Sequence, residues 1–132
     1  MRVWDPVSGD TTNILEGHTN GVRGVAWGEI DGQPRLATAS DDQTVRVWDP
    51  VSGDTTNILE GHTNWVRGVA WGEIDGQPRL ATASYDRTVR VWDPATSGCL
   101  FVVPASGALA VDLSGCALAV GLARGLFVID LS

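Results

Sequence analysis

The sequence predicts an all-β protein built from a repeated unit of four short antiparallel strands. Three observations lead there. Residues 3–46 and 47–90 align without a gap and differ at only three of 44 positions. Within each copy, short apolar runs rich in β-branched residues alternate with Gly, Pro, Asp and Ser turn residues. No segment has the length and 3.6-residue period of an amphipathic helix.

The elements follow in order. Val22 to Trp27 is a short, mostly apolar run ending at Gly28. Glu29 to Pro34 carries an Asp-Gly and a proline, and reads as a connection. Leu36 to Ser40 is a second run, Asp41-Asp42-Gln43 a tight turn, and Thr44 to Trp48 a third, β-branched run. Asp49 to Asp54 forms another turn, and Thr55 to Glu60 a fourth, weaker strand. The second copy repeats this pattern. With the strands of a unit named a to d, the chain reads c, d at residues 2–16, then a to d at 22–60 and again at 66–103, then a, b, c at about 108–131.

Four antiparallel strands per unit of this length is the pattern of a propeller blade. Strands apolar on both faces suit sheets stacked against neighbours on each side, because one isolated unit cannot bury both faces. The expected organisation is a single propeller segment over residues 1–132. It divides into closing strands c and d at 1–17, a first blade at 18–60, a second at 62–103 and a degenerate partial blade at 106–132. About three blades per chain are too few for a closed ring, which typically has four to eight. An open arc would expose apolar faces and an unpaired edge. Ring closure by oligomerisation is therefore expected: a homodimer giving six blades, or alternatively a trimer giving nine, with strand exchange between ends. The surplus N-terminal c strand would compete with Gly125 to Leu131 or hang free.

Gly17-His18, Leu36 to Asp42 and Val45-Arg46-Val47-Trp48-Asp49 resemble the WD-repeat β-propeller family, as do Gly61-His62, Leu80 to Asp86 and Val89 to Asp93. The resemblance covers residues 1–93 and fades after residue 94. There a second Gly-His is missing, and Leu122 and Ile129 stand where Ser84 and Trp92 stand. It implies a hydrogen-bonded structural network inside each blade, of His18, Ser40, Asp42 and Trp48, repeated as His62, Ser84, Asp86 and Trp92. The chemistry fits that role. An indole N–H needs a buried partner, a serine hydroxyl can accept it, and histidine can bridge serine to a turn aspartate. Asp42→Ala should then cost about 1–3 kcal/mol.

The same His, Ser and Asp types would permit a hydrolase. No sequence feature signals an oxyanion hole or an exposed nucleophile, and a duplicated active site in adjacent blades would be unusual. No catalytic residue is assigned. Asp5 to Glu16 spans a calcium loop's twelve residues, but Val7 and Gly9 occupy ligand positions and Asp10 the glycine position. Gly28 to Gly32 lacks the Lys-Ser/Thr of a phosphate loop. No metal or cofactor is expected. Cys99 and Cys116, without CxxC spacing, read as small buried apolar residues.

The net charge is −7 and every basic residue is arginine. That balance argues against duplex nucleic acid and anionic membrane surfaces. No apolar run approaches the ~20 residues of a membrane helix, and the start lacks a signal peptide's apolar stretch. A cytoplasmic location is expected.

Successive connections in such a sheet alternate between its two ends, so the d–a and b–c connections share one rim. The three differences between the copies are Gly21 against Trp65, Asp41 against Tyr85 and Gln43 against Arg87. All fall on that rim, and the residues gained are types enriched at binding hot spots. The expectation is a non-enzymatic protein–protein interaction scaffold whose rim, Trp65, Tyr85, Arg87, Gly21, Asp41 and Gln43, binds a protein or peptide of unknown identity. The alternative is a purely structural repeat or assembly module, or a fragment of a larger repeat protein, with no ligand of its own.

Overall fold

Asp31 and Gly32 take φ of 52° and 76°, and their copies Asp75 and Gly76 take 52° and 77°. Two consecutive positive φ values make the two-residue hairpin turn whose twist matches that of the flanking strands. The strands therefore run up to the turn, in a computed structural model that describes residues 2–4, 11–105, 108–114, 117–122 and 125–130. Strand β3 (Val22–Ile30) pairs with β4 (Gln33–Ser40), with Ile30 opposite Gln33 and Glu29 opposite Pro34. This corrects the expected connection over Glu29 to Pro34: only Asp31 and Gly32 lie outside the strands.

The next turn is tighter in chemistry than in length. Gln43 N–H donates to the Ser40 carbonyl (3.3 Å), and Gln43 adopts φ +74°, the left-handed residue that closes a short hairpin. Strand β5 (Val45–Trp48) follows, then β6 (Thr55–Leu59), giving a four-stranded sheet in the order β3-β4-β5-β6. The Asp49 carboxylate closes the connection between them by accepting from the Val51 N–H (2.9 Å). The second copy builds β7 (Val66–Ile74), β8 (Gln77–Ser84), β9 (Thr88–Asp93) and β10 (Gly98–Pro104) in the same order.

A third sheet has three strands, β11 (Ala108–Ser114), β12 (Ala117–Leu122) and β13 (Gly125–Asp130). At the other end β1 (Arg2–Trp4) pairs with β2 (Thr11–Ile14). Their register, Arg2 opposite Ile14 and Trp4 opposite Thr11, repeats that of Arg46 with Ile58 and Trp48 with Thr55.

The core lies between sheets rather than within one. Ala37, Ala39, Val45 and Val47 of the first blade meet Leu59, Val66, Leu80 and Trp92, all buried. Ala81, Ala83, Val89 and Val91 of the second meet Ala105, with Val103 and Val111 packed against them. Small side chains on one face let the next sheet approach closely. At the first seam Gly28 has no Cβ to spare, since one would fall 2.1 Å from the Trp71 ring. The Trp71 indole N–H donates across the seam to the Ala26 carbonyl (3.0 Å).

Cys99 is exposed, against the expectation of burial. It sits on β10, the outermost strand of its sheet, where Leu100, Phe101 and Val102 are exposed as well. Cys116 and Asp5 to Asp10 lie outside the described residues. Among the described residues no helix is long and apolar enough to cross a membrane.

Candidate functional site

Each complete blade carries one buried polar chain. In the first, the Trp48 indole N–H donates to Thr38 Oγ1 (2.8 Å), and Thr38 Oγ1 lies 2.6 Å from His18 Nε2. His18 Nδ1 lies 2.7 Å from Asp42 Oδ2. The carboxylate requires Nδ1 to carry the proton, so Nε2 accepts from the threonine hydroxyl and the ring is neutral. The second blade repeats the chain through Trp92, Thr82, His62 and Asp86 at 2.9, 2.6 and 2.8 Å.

The serine expected to accept the indole proton does not do so, and threonine takes its place. The indole of Trp48 stands opposite Leu36 in the ladder, and its diagonal neighbour on β4 is Thr38, whereas Ser40 lies two residues further. That diagonal was the signal available in the sequence. Ser40 and Ser84 instead hold the rim loops. Ser84 Oγ lies 2.9 Å from the Trp65 carbonyl oxygen and accepts from the Asp86 N–H (3.1 Å). His62, Ser84 and Asp86 therefore do not assemble as a nucleophilic triad, because Thr82 occupies the imidazole nitrogen a serine would need. Among the described residues, no group of three or more His, Cys, Asp and Glu could hold a metal ion.

The two titratable members shift together. Burial lowers the His18 and His62 pKa values, more than their aspartates raise them. Burial alone would raise Asp42, but hydrogen bonds from Thr44, His18 and Thr19 outweigh it and hold the carboxyl at about 2. Asp86 is lowered by the same balance, with burial opposing and Thr88, His62 and Thr63 donating. Because Asp86 Oδ2 also accepts from the Thr63 N–H (3.1 Å), it fixes the loop that leads to Trp65.

Two of the three differing positions face each other directly. The Asp41 N–H donates to the Gly21 carbonyl, and the Tyr85 N–H to the Trp65 carbonyl, each at 2.9 Å. The third, Gln43 or Arg87, lies two residues further along the same turn and is exposed. In the second blade Trp65 and Tyr85 stack with ring centroids 5.8 Å apart and planes 30° apart, and they remain 41% and 43% exposed. The cation on this stack is Arg67, 4.9 Å from the Tyr85 ring centroid and 5.9 Å from that of Trp65.

Arg67 was missed by comparing the copies because it is the same residue as Arg23. Each arginine sits where the β3–β4 or β7–β8 register shifts, at a bulge that re-aims its side chain toward the rim. In the first blade Arg23 grips Asp41 Oδ2 through Nε and Nη2 at 2.9 and 2.7 Å. Arg67 also reaches back across the seam, 3.9 Å from Asp41 Oδ1. Asp41 is consequently buried, which corrects its expected place on an open rim. Its Oδ2 is taken by Arg23, while the buried Oδ1 faces Arg67 without a hydrogen bond. Gly21 is exposed and has open space: a Cβ there would meet nothing nearer than Arg23 at 3.7 Å.

A sequence-family model described as WD domain, G-beta repeat, matches residues 9–49 and 53–93. The chain belongs to the WD40 family. Its two WD40 repeats correspond to the two four-stranded sheets, offset by one strand because each match begins ahead of β2 or β6 and ends with β5 or β9. WD40 repeats generally mediate protein–protein interaction, and proteins of the family are generally non-enzymatic scaffolds. A search of the curated proteins finds no match to the chain.

Proposed function

We propose that the chain is a non-enzymatic scaffold that self-assembles into a closed ring and captures a protein or peptide partner on the rim formed by Trp65, Tyr85 and Arg87, with Arg67 beneath the aromatic pair. The observation that carries this reading is the Trp65–Tyr85 stack itself. Two large rings held half-open over a guanidinium are costly to leave wet and well suited to a desolvated contact. Arg87, exposed beside them, is free in geometry to pair bidentately with a partner carboxylate. Gly21 and Gln43 are the corresponding exposed positions of the first blade. The network of His62, Thr82, Asp86 and Trp92 serves this face by fixing the loops that present it. Exposed, unpaired Cys99 suits a reducing cytoplasmic setting.

The test is the triple reversal Trp65→Gly, Tyr85→Asp and Arg87→Gln, with a displayed random-peptide library panned against wild type and variant. Peptides enriched on wild type should be lost on the variant while the assembled mass stays the same. Equal enrichment on both would place the site elsewhere, and no enrichment on either would favour a purely structural assembly module.

A further inference from the structure

Trp27 and Trp71 occupy the same position of two copies whose strands β3 and β7 are letter-for-letter identical. Trp71 is docked: its ring lies on Gly28 and its N–H reaches the Ala26 carbonyl. Trp27 is 57% exposed, and Val25 beside it 51%, whereas Val69 packs against the seam. The face that docks in the second blade stands uncovered in the first.

The seat next to it has a definite shape. Leu15, Leu36 and Trp48 form a small cluster that copies Leu59, Leu80 and Trp92. In the second blade that trio is covered by Ala37, Ala39, Val45 and Val47 of the first. In the first blade the trio is itself buried, and a groove of about 470 Å³, lined by Leu15, Gly17, His18, Val22 and Val25 among others, opens beside it. What fits is a pair of b and c strands with small or branched aliphatic residues at those four positions.

The chain carries one more such pair. The third sheet keeps the register of the complete blades, its shift between Ala108 and Ala110 matching that between Val66 and Gly68. Val120 opposite Val111 then corresponds to Thr82 opposite Val69, and Ala119 opposite Val128 to Ala81 opposite Val91. The four register positions hold Ala119, Gly121, Leu126 and Val128. We infer that the uncovered face of the first blade, anchored by Trp27 and Val25, takes the third sheet of a second copy of this chain, with β13 taking the place beside β2 that β1 holds within one chain. This rests on the self-assembly proposed above and names its interface. The contact is head-to-tail, the kind that closes a ring when the rotation permits.

One position departs from the inner seam. Ser114 holds the register position that Gly28 holds in the first blade, so the strand offers no glycine there. Trp27 seats less deeply than Trp71, and the seam between chains is the weakest in the ring and concentration-dependent.

Light scattering on the full chain tests this. Wild type should have two or three times the 14.0 kDa chain mass. Trp27→Asp and Val25→Asp should each fall to the single-chain mass with unchanged far-ultraviolet circular dichroism. A wild-type mass of one chain overturns self-assembly itself. An oligomer that persists in both variants overturns this seam and leaves self-assembly standing. Should Trp27→Asp lose its fold, Val25→Asp decides. Loss of fold in both would show that the face belongs to the chain's own core, and overturns the inference too.

Discussion

Thr82 and His62 are joined at 2.6 Å, and through that hydroxyl the histidine is tied to Trp92, an indole with no exposed surface to speak of. The bond makes threonine, not serine, the middle of the polar chain. Thr82→Val keeps the shape and removes the hydroxyl, leaving a buried indole N–H and an imidazole nitrogen unpaired. The expected loss is about 2–4 kcal/mol in urea unfolding at fixed protein concentration. Ser84→Ala, which frees only loop contacts at the edge, should cost about 0.5–1.5 kcal/mol. The reverse ranking would show that the chain runs through serine.

Acid should unfold the protein in two stages of the same sign. The folded state holds His18 and His62 neutral with pKa values below 6.5, so below that pH the unfolded chain binds more protons. Their contribution is present above pH 6.5 and is lost as pH falls through the lowered values. The aspartates add a second loss below 3.8, complete for Asp42 only near its folded value of about 2. Melting temperature measured from about pH 8 to 3 should fall throughout the acid range. A protein that gains stability between about pH 7 and 5 would contradict neutral, buried histidines.

Gly28→Ala places a methyl where the Trp71 ring already lies, 2.1 Å from Cδ2. Neither the indole nor β3 can yield without opening the first seam, and overpacking of this kind costs about 1–3 kcal/mol. Gly21→Ala, at an exposed position with no atom nearer than 3.7 Å, should change stability by less than about 0.5 kcal/mol. Chemical denaturation of the two variants side by side checks both, and equal effects would mean that the seam does not depend on the missing Cβ.

Much of this was legible in the letters. The 44-residue period, the four strands per unit and the position of the three differences need only local rules: β-branched runs extend, Asp-Gly turns, and alternating connections fall at alternating ends. His18, Asp42 and Trp48 were recognisable as partners through the resemblance to the WD-repeat family, which implies a network that joins them. The length of β3 was underestimated because Pro34 looked like an interruption, whereas the turn is complete in Asp31 and Gly32.

The rest depended on what stands next to what. Thr38 rather than Ser40 meets the indole because register fixes the diagonal, and two hydroxyls two residues apart look alike in a list. Arg67 reaches the rim through a bulge, and Asp41 is drawn inward by arginines from two different blades; neither is a property of the residue's own neighbours in sequence. The clearest case is Trp27 and Trp71. Their flanking sequence is identical, and it determines the same strand, the same turn and the same face for both. One is docked and the other exposed because burial is set by the sheet stacked opposite, a partner that local sequence cannot supply.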